Sequence, residues 1–432
     1  MSTATASNQC RTNIKLEISC PHCWYKFPTH QILFISASPN LLGDPKLGHF
    51  EQLRFLPCRF GRNGVALDSQ GKACSKLACP NCHLPIPRSL LSTPSFFISI
   101  AGAPASGKSY FFTSMVRQLR KTMTQCFCMS FEDADPTMNR RILDYEGLMM
   151  GDEPFYIEKT DVASDNFYNK TLIDGHLTLL AQPFSYTIQP QPEYPFPNNA
   201  RRIQTVCMYD NAGEHFLPDA DNLQQPVTRH LSASDPILFL FDPTQDPRFR
   251  RACKQAVNDP QMNSALAGDV EIRGGTVDQS IILTEMIKRI KEHTSLSVHE
   301  KIKPPLIIVL TKLDAWKQLV ESLRDNPPWN PSGNTPSHVY RFRMVEQNSR
   351  ILRDLLLRLI PNLVAAAEAN AANVSYIAVS ATGTAPELGV PDANGKRPLL
   401  YRPANIKPIW IDVPLFHAQF MAGKYCFPIW QR

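Results

Sequence analysis

The stretch FFISIAGAPASGKSYFFTSMVRQLRKTM, residues 96–123, decides how this chain folds. Residues 96–101 (FFISIA) form a nearly unbroken apolar run of strand length. Residues 109–123 place apolar side chains at helical spacing. Between them stands Gly102-Ala-Pro-Ala-Ser-Gly107-Lys108-Ser109, which fits G-x-x-x-x-G-K-[ST]. A glycine-containing turn from strand into helix offers successive backbone N–H groups and a helix N-terminus to an anion. The pattern predicts a phosphate cradle at Gly102, Ala105, Ser106, Gly107 and Tyr110. Lys108 would reach the outer phosphates and Ser109 would ligate Mg²⁺.

Working outward, further strand-like runs fall at 184–188, 204–209, 237–241, 306–310 and 374–379. Helical stretches are expected at 137–150, 280–293 and 339–370, the last broken by Pro361. Strands alternating with helices predict an α/β fold of the P-loop NTPase kind: a mostly parallel sheet flanked by helices. Residues 189–199 and 326–336 are proline-rich and read as extended loops.

Three more motifs sit at ends of apolar runs. Asp210-Asn-Ala-Gly213-Glu214 follows 204–209. An acid there can hold Mg²⁺, and Gly213 leaves its N–H open to a γ-phosphate. Thr311-Lys312-Leu313-Asp314 follows 306–310. A carboxylate at 314 can accept from both donors on guanine's edge, a pair adenine lacks, and the Lys312 stem can cover the base face. Alternatively, Asp314 caps a short helix. Ser380-Ala381-Thr382 follows 374–379, where a backbone N–H can meet the guanine oxygen. Each motif is weak alone. Four in order, each at a strand end, point to one ligand at the carboxyl edge of a sheet.

The set GAPASGKS, DNAGE, TKLD and SAT resembles the translation-factor and Ras-like (TRAFAC) class of GTPases over residues 96–420. The resemblance implies GTP and GDP as ligands, with Thr311, Lys312, Asp314, Ser380, Ala381 and Thr382 as base contacts. It makes Ser109 and Asp210 Mg²⁺ residues, with a first-switch threonine at Thr160 or Thr171, Thr160 preferred. Gly213, Glu214 and His215 stand at the hydrolytic position. The class usually has Gln where Glu214 stands, so hydrolysis is expected to be slow, to use His215, or to need a partner. Arg140, Arg141, Arg201 and Arg229 are candidates for an arginine finger in cis. More narrowly, the chain resembles the GTPases of bacterial GTPase-centred conflict systems, through DNAGEHF, its long motif spacings and residues 409–420 (IWIDVPLFHAQF). That implies a GTP-controlled switch acting on a protein effector, with a role in antiphage defence.

Residues 1–93 read as a separate small module. Cys20-Pro-His-Cys23 and Cys79-Pro-Asn-Cys82 are two C-P-x-C knuckles, the arrangement that places four thiolates on one Zn²⁺. The module looks like a zinc ribbon with 55 residues between its knuckles. Cys58 and Cys74 remain open as alternative ligands. The GTPase domain is placed at 94–432, with insertions near 125–200, 243–278 and 320–370.

The chain has 432 residues, 45 Lys/Arg and 39 Asp/Glu. All of the +6 excess lies in residues 1–93, which hold ten basic and four acidic side chains. The bases at 54, 59, 62, 72 and 76 are scattered rather than clustered, so a protein contact is favoured over nucleic acid. No run of 18 apolar residues and no signal peptide are found, which predicts a soluble cytoplasmic protein without membrane contact. Two other readings stay open: a nucleotide-dependent adaptor that does not hydrolyse, and a P-loop ATPase.

Overall fold

The computed structural model describes residues 14–62, 64–157, 168–195, 202–210, 229–253, 259–262, 278–331, 333, 336–391 and 397–430. The chain divides into two compact units. One comprises Met1–Ser95 with Lys170–Thr178, the other Phe96–Asn169 with Leu179–Arg432.

The second unit is built on a mixed sheet of seven strands. In chain order they are Ser95–Gly102 (β1), Met129–Asp133 (β2), Pro183–Pro190 (β3), Gln204–Asp210 (β4), Ile237–Phe241 (β5), Leu306–Leu310 (β6) and Val374–Ala378 (β7). Their spatial order is β2-β3-β4-β1-β5-β6-β7. Strands β1, β5, β6 and β7 run parallel, while β2 with β3 and β3 with β4 run antiparallel. Both faces are buried, which is why these runs are continuously apolar. Successive side chains divide between two cores. Ile98, Leu238, Leu240, Ile307 and Val309 join one, and Phe239, Phe241, Ile308 and Leu310 join the other.

Helix α1 (Lys108–Phe127) lays Phe112, Met115, Val116 and Leu119 on the first face. Helix α2 (Arg140–Met150) follows β2. Helices α3 (Gln279–Thr294), α4 (Phe342–Leu359) and α5 (Pro361–Asn370) supply the second core with Leu283, Met286, Leu352 and Leu363. Pro361 opens α5 at its first position, where a missing N–H costs nothing. Helix α6 (Val413–Met421) returns to the first face.

Two local expectations are corrected. Residues 129–133 (MSFED) form a strand the sequence did not announce, pairing with β3. Residues 326–336 are not loop throughout, because Trp329–Pro331 pairs with His338–Tyr340.

The first unit is small, its described residues forming short β-strands and two 3₁₀ turns, Thr29–Gln31 and Arg88–Leu91. Pro85–Ile86, Leu77–Ala78, Leu33–Ile35 and Arg54–Phe55 make one sheet, and Glu17–Ser19 pairs with Lys26–Pro28 around the first knuckle. No helix among the described residues is long and apolar enough to cross a membrane.

Candidate functional site

In the phosphate loop, Ala105 and Gly107 take left-handed backbone conformations at φ 58° and 84°. Gly102 is required for space: a Cβ there would stand 2.5 Å from the Leu240 carbonyl oxygen of β5. Lys108 Nζ donates to the carbonyls of Gly102, at 3.2 Å, and Ala103, at 2.8 Å. The ammonium is held within the loop, at the mouth of α1. Tyr110 turns its hydroxyl toward the Ile157 N–H, which it accepts at 2.8 Å. Burial pushes this phenol up to about 12.

Asp210 is the last residue of β4 and is buried. Burial raises its carboxyl, and the nearby charges of Arg141 and Lys108 pull it back. Arg141, on α2, approaches it at 3.6 Å. Gly213, Glu214, His215, Thr160 and Arg201 lie outside the described residues. Thr171 is described and is excluded as the first-switch threonine: it is buried in the first unit, where its hydroxyl donates to the Cys82 carbonyl at 2.8 Å.

The side of the cleft opposite the phosphate loop is assembled from the ends of β5, β6 and β7. Thr311 leaves β6 with its N–H on the Phe241 carbonyl. Lys312 then adopts φ 56°, which throws its side chain sideways toward β5. Its ammonium meets Asp242 Oδ2 at 2.7 Å and Thr244 Oγ1 at 3.1 Å. Asp242 is wholly buried and also accepts from Thr244 N–H at 2.9 Å and Gln245 Nε2 at 3.1 Å. Gln245 reaches on to the Pro104 carbonyl in the phosphate loop. Asp314 accepts a hydrogen bond from the Ser380 hydroxyl. It caps no helix, since the short helix Leu313–Trp316 has no side-chain cap. Burial raises the Asp314 carboxyl, and the Ser380 hydrogen bond and Lys312 oppose that. Gly383 N–H donates to Ser380 Oγ at 2.7 Å and fixes the hydroxyl's direction. Ala381 presents its carbonyl to Ser114 of α1, and Thr382 donates to the Thr384 carbonyl. A cavity opens among Tyr110, Gln261, Lys312, Asp314, Thr382 and Tyr401.

Thus Ser106, Gly107 and Tyr110 of the loop, Thr311, Lys312, Asp314 and Ser380–Thr382 line one cavity. Sequence reasoning missed Asp242, Thr244, Gln245, Gln261, Gly383 and Tyr401. The signal for the first three was present: 242–247 (DPTQDP) ends the one central strand to which no motif had been given.

In the first unit, Cys20, Cys23, Cys79 and Cys82 bring their sulfurs within 4.8 Å of one another, all buried. The pairs Cys20–Cys82 and Cys23–Cys79 stand at 3.7 Å, far beyond a disulfide. Four sulfurs around one ion at Zn–S bonds of about 2.3 Å would be about 3.8 Å apart, so the set fits a tetrahedral tetrathiolate centre. The two knuckles repeat one geometry. His22 N–H points at Cys20 Sγ and Asn81 N–H at Cys79 Sγ, each at 3.3 Å. Trp24 and His83, following each second cysteine, are left-handed at φ 56° and 60°. Contact with the neighbouring sulfurs holds Cys23 far down, while burial drives Cys20 and Cys82 well up. Such a set ionises together only around a cation. Cys74 stands instead beside Asp68 at 3.7 Å, and Cys58 is exposed, so neither joins the four. Arg54 donates to the His83 carbonyl at 3.1 Å and Arg59 to the Asp68 carbonyl at 2.7 Å. These bases serve local structure.

No family model matches the chain. A curated relative, "Putative ESX-1 scaffolding and assembly protein SaeC" of Mycolicibacterium smegmatis, is 24% identical over 242 residues, 56% of this chain and 52% of its own. The chain therefore matches about half the length of that relative. Among solved structures, translation elongation factor SelB of Methanococcus maripaludis, in complex with a GTP analogue, gives a TM-score of 0.22 at 12% identity, covering 67% of this chain and 30% of that one. Sup35 complexed with GDP gives 0.23 at 11% identity, covering 70% and 41%.

Proposed function

We propose that the chain is a guanine-nucleotide switch. One observation carries this: Asp314, Lys312 and Ser380–Thr382 face one cavity that adjoins the phosphate loop. Asp314 offers a half-buried carboxylate, already accepting from Ser380, to the two donors of guanine, and adenine would bring it no donor pair. Lys108 and the loop N–H groups would hold the phosphates. Ser109 and Asp210 would hold Mg²⁺, whose charge offsets that of the phosphates. Gly213, Glu214 and His215 would sit at the γ-phosphate, with Thr160 from the first switch, and hydrolysis would be slow because a carboxylate orients water less well than an amide beside a polyanion. One Zn²⁺ would be held by Cys20, Cys23, Cys79 and Cys82 as a structural ion.

The nucleotide state would be read by a protein partner. The curated relative's printed name, which speaks of scaffolding and assembly, favours a partner in an assembled complex. With Glu214 in place of glutamine, it also favours a second form of the same reading: GTP-dependent assembly in which turnover is not the output.

Calorimetry on zinc-loaded protein with GTP, GDP and ATP in Mg²⁺ tests the reading. Binding of GTP and GDP with ATP silent is expected. Equal binding of ATP would move the chain to the ATPases. GTP bound tightly but not turned over, with a partner present, would select the assembly form.

A further inference from the structure

The contact between α2 and the end of β4 is not explained by the core around it. Arg141 lies in the first turn of α2, its guanidinium 3.6 Å from Asp210 Oδ2. Its guanidinium carbon sits over the Phe184 ring of β3, 4.7 Å from the ring centre. Side-chain exposure is 19% for Arg141 and 4% for Asp210, so water screens the pair poorly. Among the described residues the other cation acting on Asp210 is Lys108, whose ammonium is held by two loop carbonyls. A buried carboxylate at the end of a strand beside a phosphate loop is therefore neutralised by a resident side chain.

We propose that Arg141 is the resident counter-ion of the Mg²⁺ position, neutralising Asp210 in the open site and exchanged for Mg²⁺ when a nucleoside triphosphate binds. This rests on the nucleotide-switch reading given above. The guanidinium and the hydrated ion compete for the same carboxylate oxygens. Whatever free energy the Arg141–Asp210 contact contributes is subtracted from Mg²⁺ binding. Magnesium then reports more than charge on the phosphates: its arrival releases α2 from β4, and α2 leads directly toward the segment that follows residue 150. Linkage requires the reverse as well, so that anything pulling α2 away tightens Mg²⁺ binding.

The test is Arg141→Met, which keeps a stem over Phe184 and removes the charge, beside Arg141→Lys, which keeps the charge. Nucleotide affinity is measured by fluorescent GDP and GTP titration at zero and at graded Mg²⁺, with melting temperature alongside. For Arg141→Met, half-saturation by Mg²⁺ should fall roughly tenfold. Nucleotide affinity without Mg²⁺ should change little, and Mg²⁺·GTP should raise the melting temperature more than in the wild type. Arg141→Lys should lie between. A loss of Mg²⁺-free affinity at unchanged Mg²⁺ half-saturation would make Arg141 a phosphate ligand and overturn the proposal. Unchanged Mg²⁺ and nucleotide binding with a lower melting temperature would leave it a packing residue. Wild-type protein that binds no nucleotide at all would sink the switch reading itself, and this proposal with it.

Discussion

The cysteine cluster and the Asp314–Lys312 side of the cleft both bring together segments far apart in sequence, yet they are held by opposite means. Cys20 and Cys23 meet Cys79 and Cys82 with no basic side chain donating to the sulfurs among the described contacts, and their thiols compete for ionisation. In the cleft each charge already has a protein partner: Asp314 has Ser380, and Lys312 has Asp242. The first arrangement would be stabilised by an external ion. The second is complete without its ligand, and a ligand would only exchange partners. Metal removal and nucleotide removal should therefore have unlike consequences.

The largest expected effect follows from the cysteines. Structural zinc contributes on the order of 10 kcal/mol or more to small sites of this kind. Full-length protein should carry one Zn²⁺ by mass spectrometry, and Cys79→Ser or strong chelation should abolish hydrogen-exchange protection across residues 18–86. Amides of α1 and β6 should keep theirs. Retained protection at 18–86 without metal would erase the contrast between the two regions.

Next is Asp314→Ala. Guanine loses its paired acceptor, so GTP affinity should fall about 100-fold, from a loss of roughly 1–3 kcal/mol, with ATP binding unchanged. The fold should survive, because Ser380 is also held by Gly383 N–H and by the Ile409 backbone. An unaltered GTP titration would remove Asp314 from base recognition.

A smaller effect is expected of Gly383→Ala. The residue has φ 71°, and a Cβ would fall 1.9 Å from the Lys407 carbonyl oxygen, so the backbone must shift. The cost should be roughly 1–3 kcal/mol in urea unfolding. Because Gly383 N–H orients Ser380, and Ser380 orients Asp314, discrimination of GTP over ATP should weaken too. Lost stability with intact discrimination would show the base pocket to be stiffer than this chain of hydrogen bonds implies.

These outcomes also measure how far the sequence could be read. The phosphate loop, the central strands and both knuckles were legible, because each is a local pattern: an apolar run, a glycine turn, a paired cysteine. Strand β2 was not, since MSFED follows α1 with Cys128 at φ 53° where glycine would have marked the break. Asp242 escaped notice because its meaning depends on Lys312, 70 positions on, taking a left-handed turn toward it. The Arg141–Asp210 contact spans a like distance. Thr171 stood as the second candidate beside Thr160 for the converse reason: nothing local shows that residues 170–178 belong with the first unit.

The smallest effect separates a carboxylate kept for a ligand from one kept for packing. Asp412, at the start of α6, is buried where Asp314 is only half-buried, and Thr122 of α1 donates to it at 2.5 Å. Burial raises its carboxyl from the usual 3.8 to about 6. The native state therefore binds a proton that the unfolded chain gives up, and stability falls as pH rises through 6. Between pH 5 and 7 the loss should be about 1 kcal/mol. Asp412→Asn keeps an oxygen for Thr122 and has nothing to titrate, so its urea midpoint should lack this slope, while its nucleotide binding stays that of the wild type. In Asp314→Asn the order inverts: little change in the pH slope of stability beyond its own raised carboxyl, and a large loss of GTP. If Asp412→Asn instead weakened GTP, α1 would be transmitting strain from its far end to the phosphate loop, and the cleft would not be the self-sufficient half of the comparison.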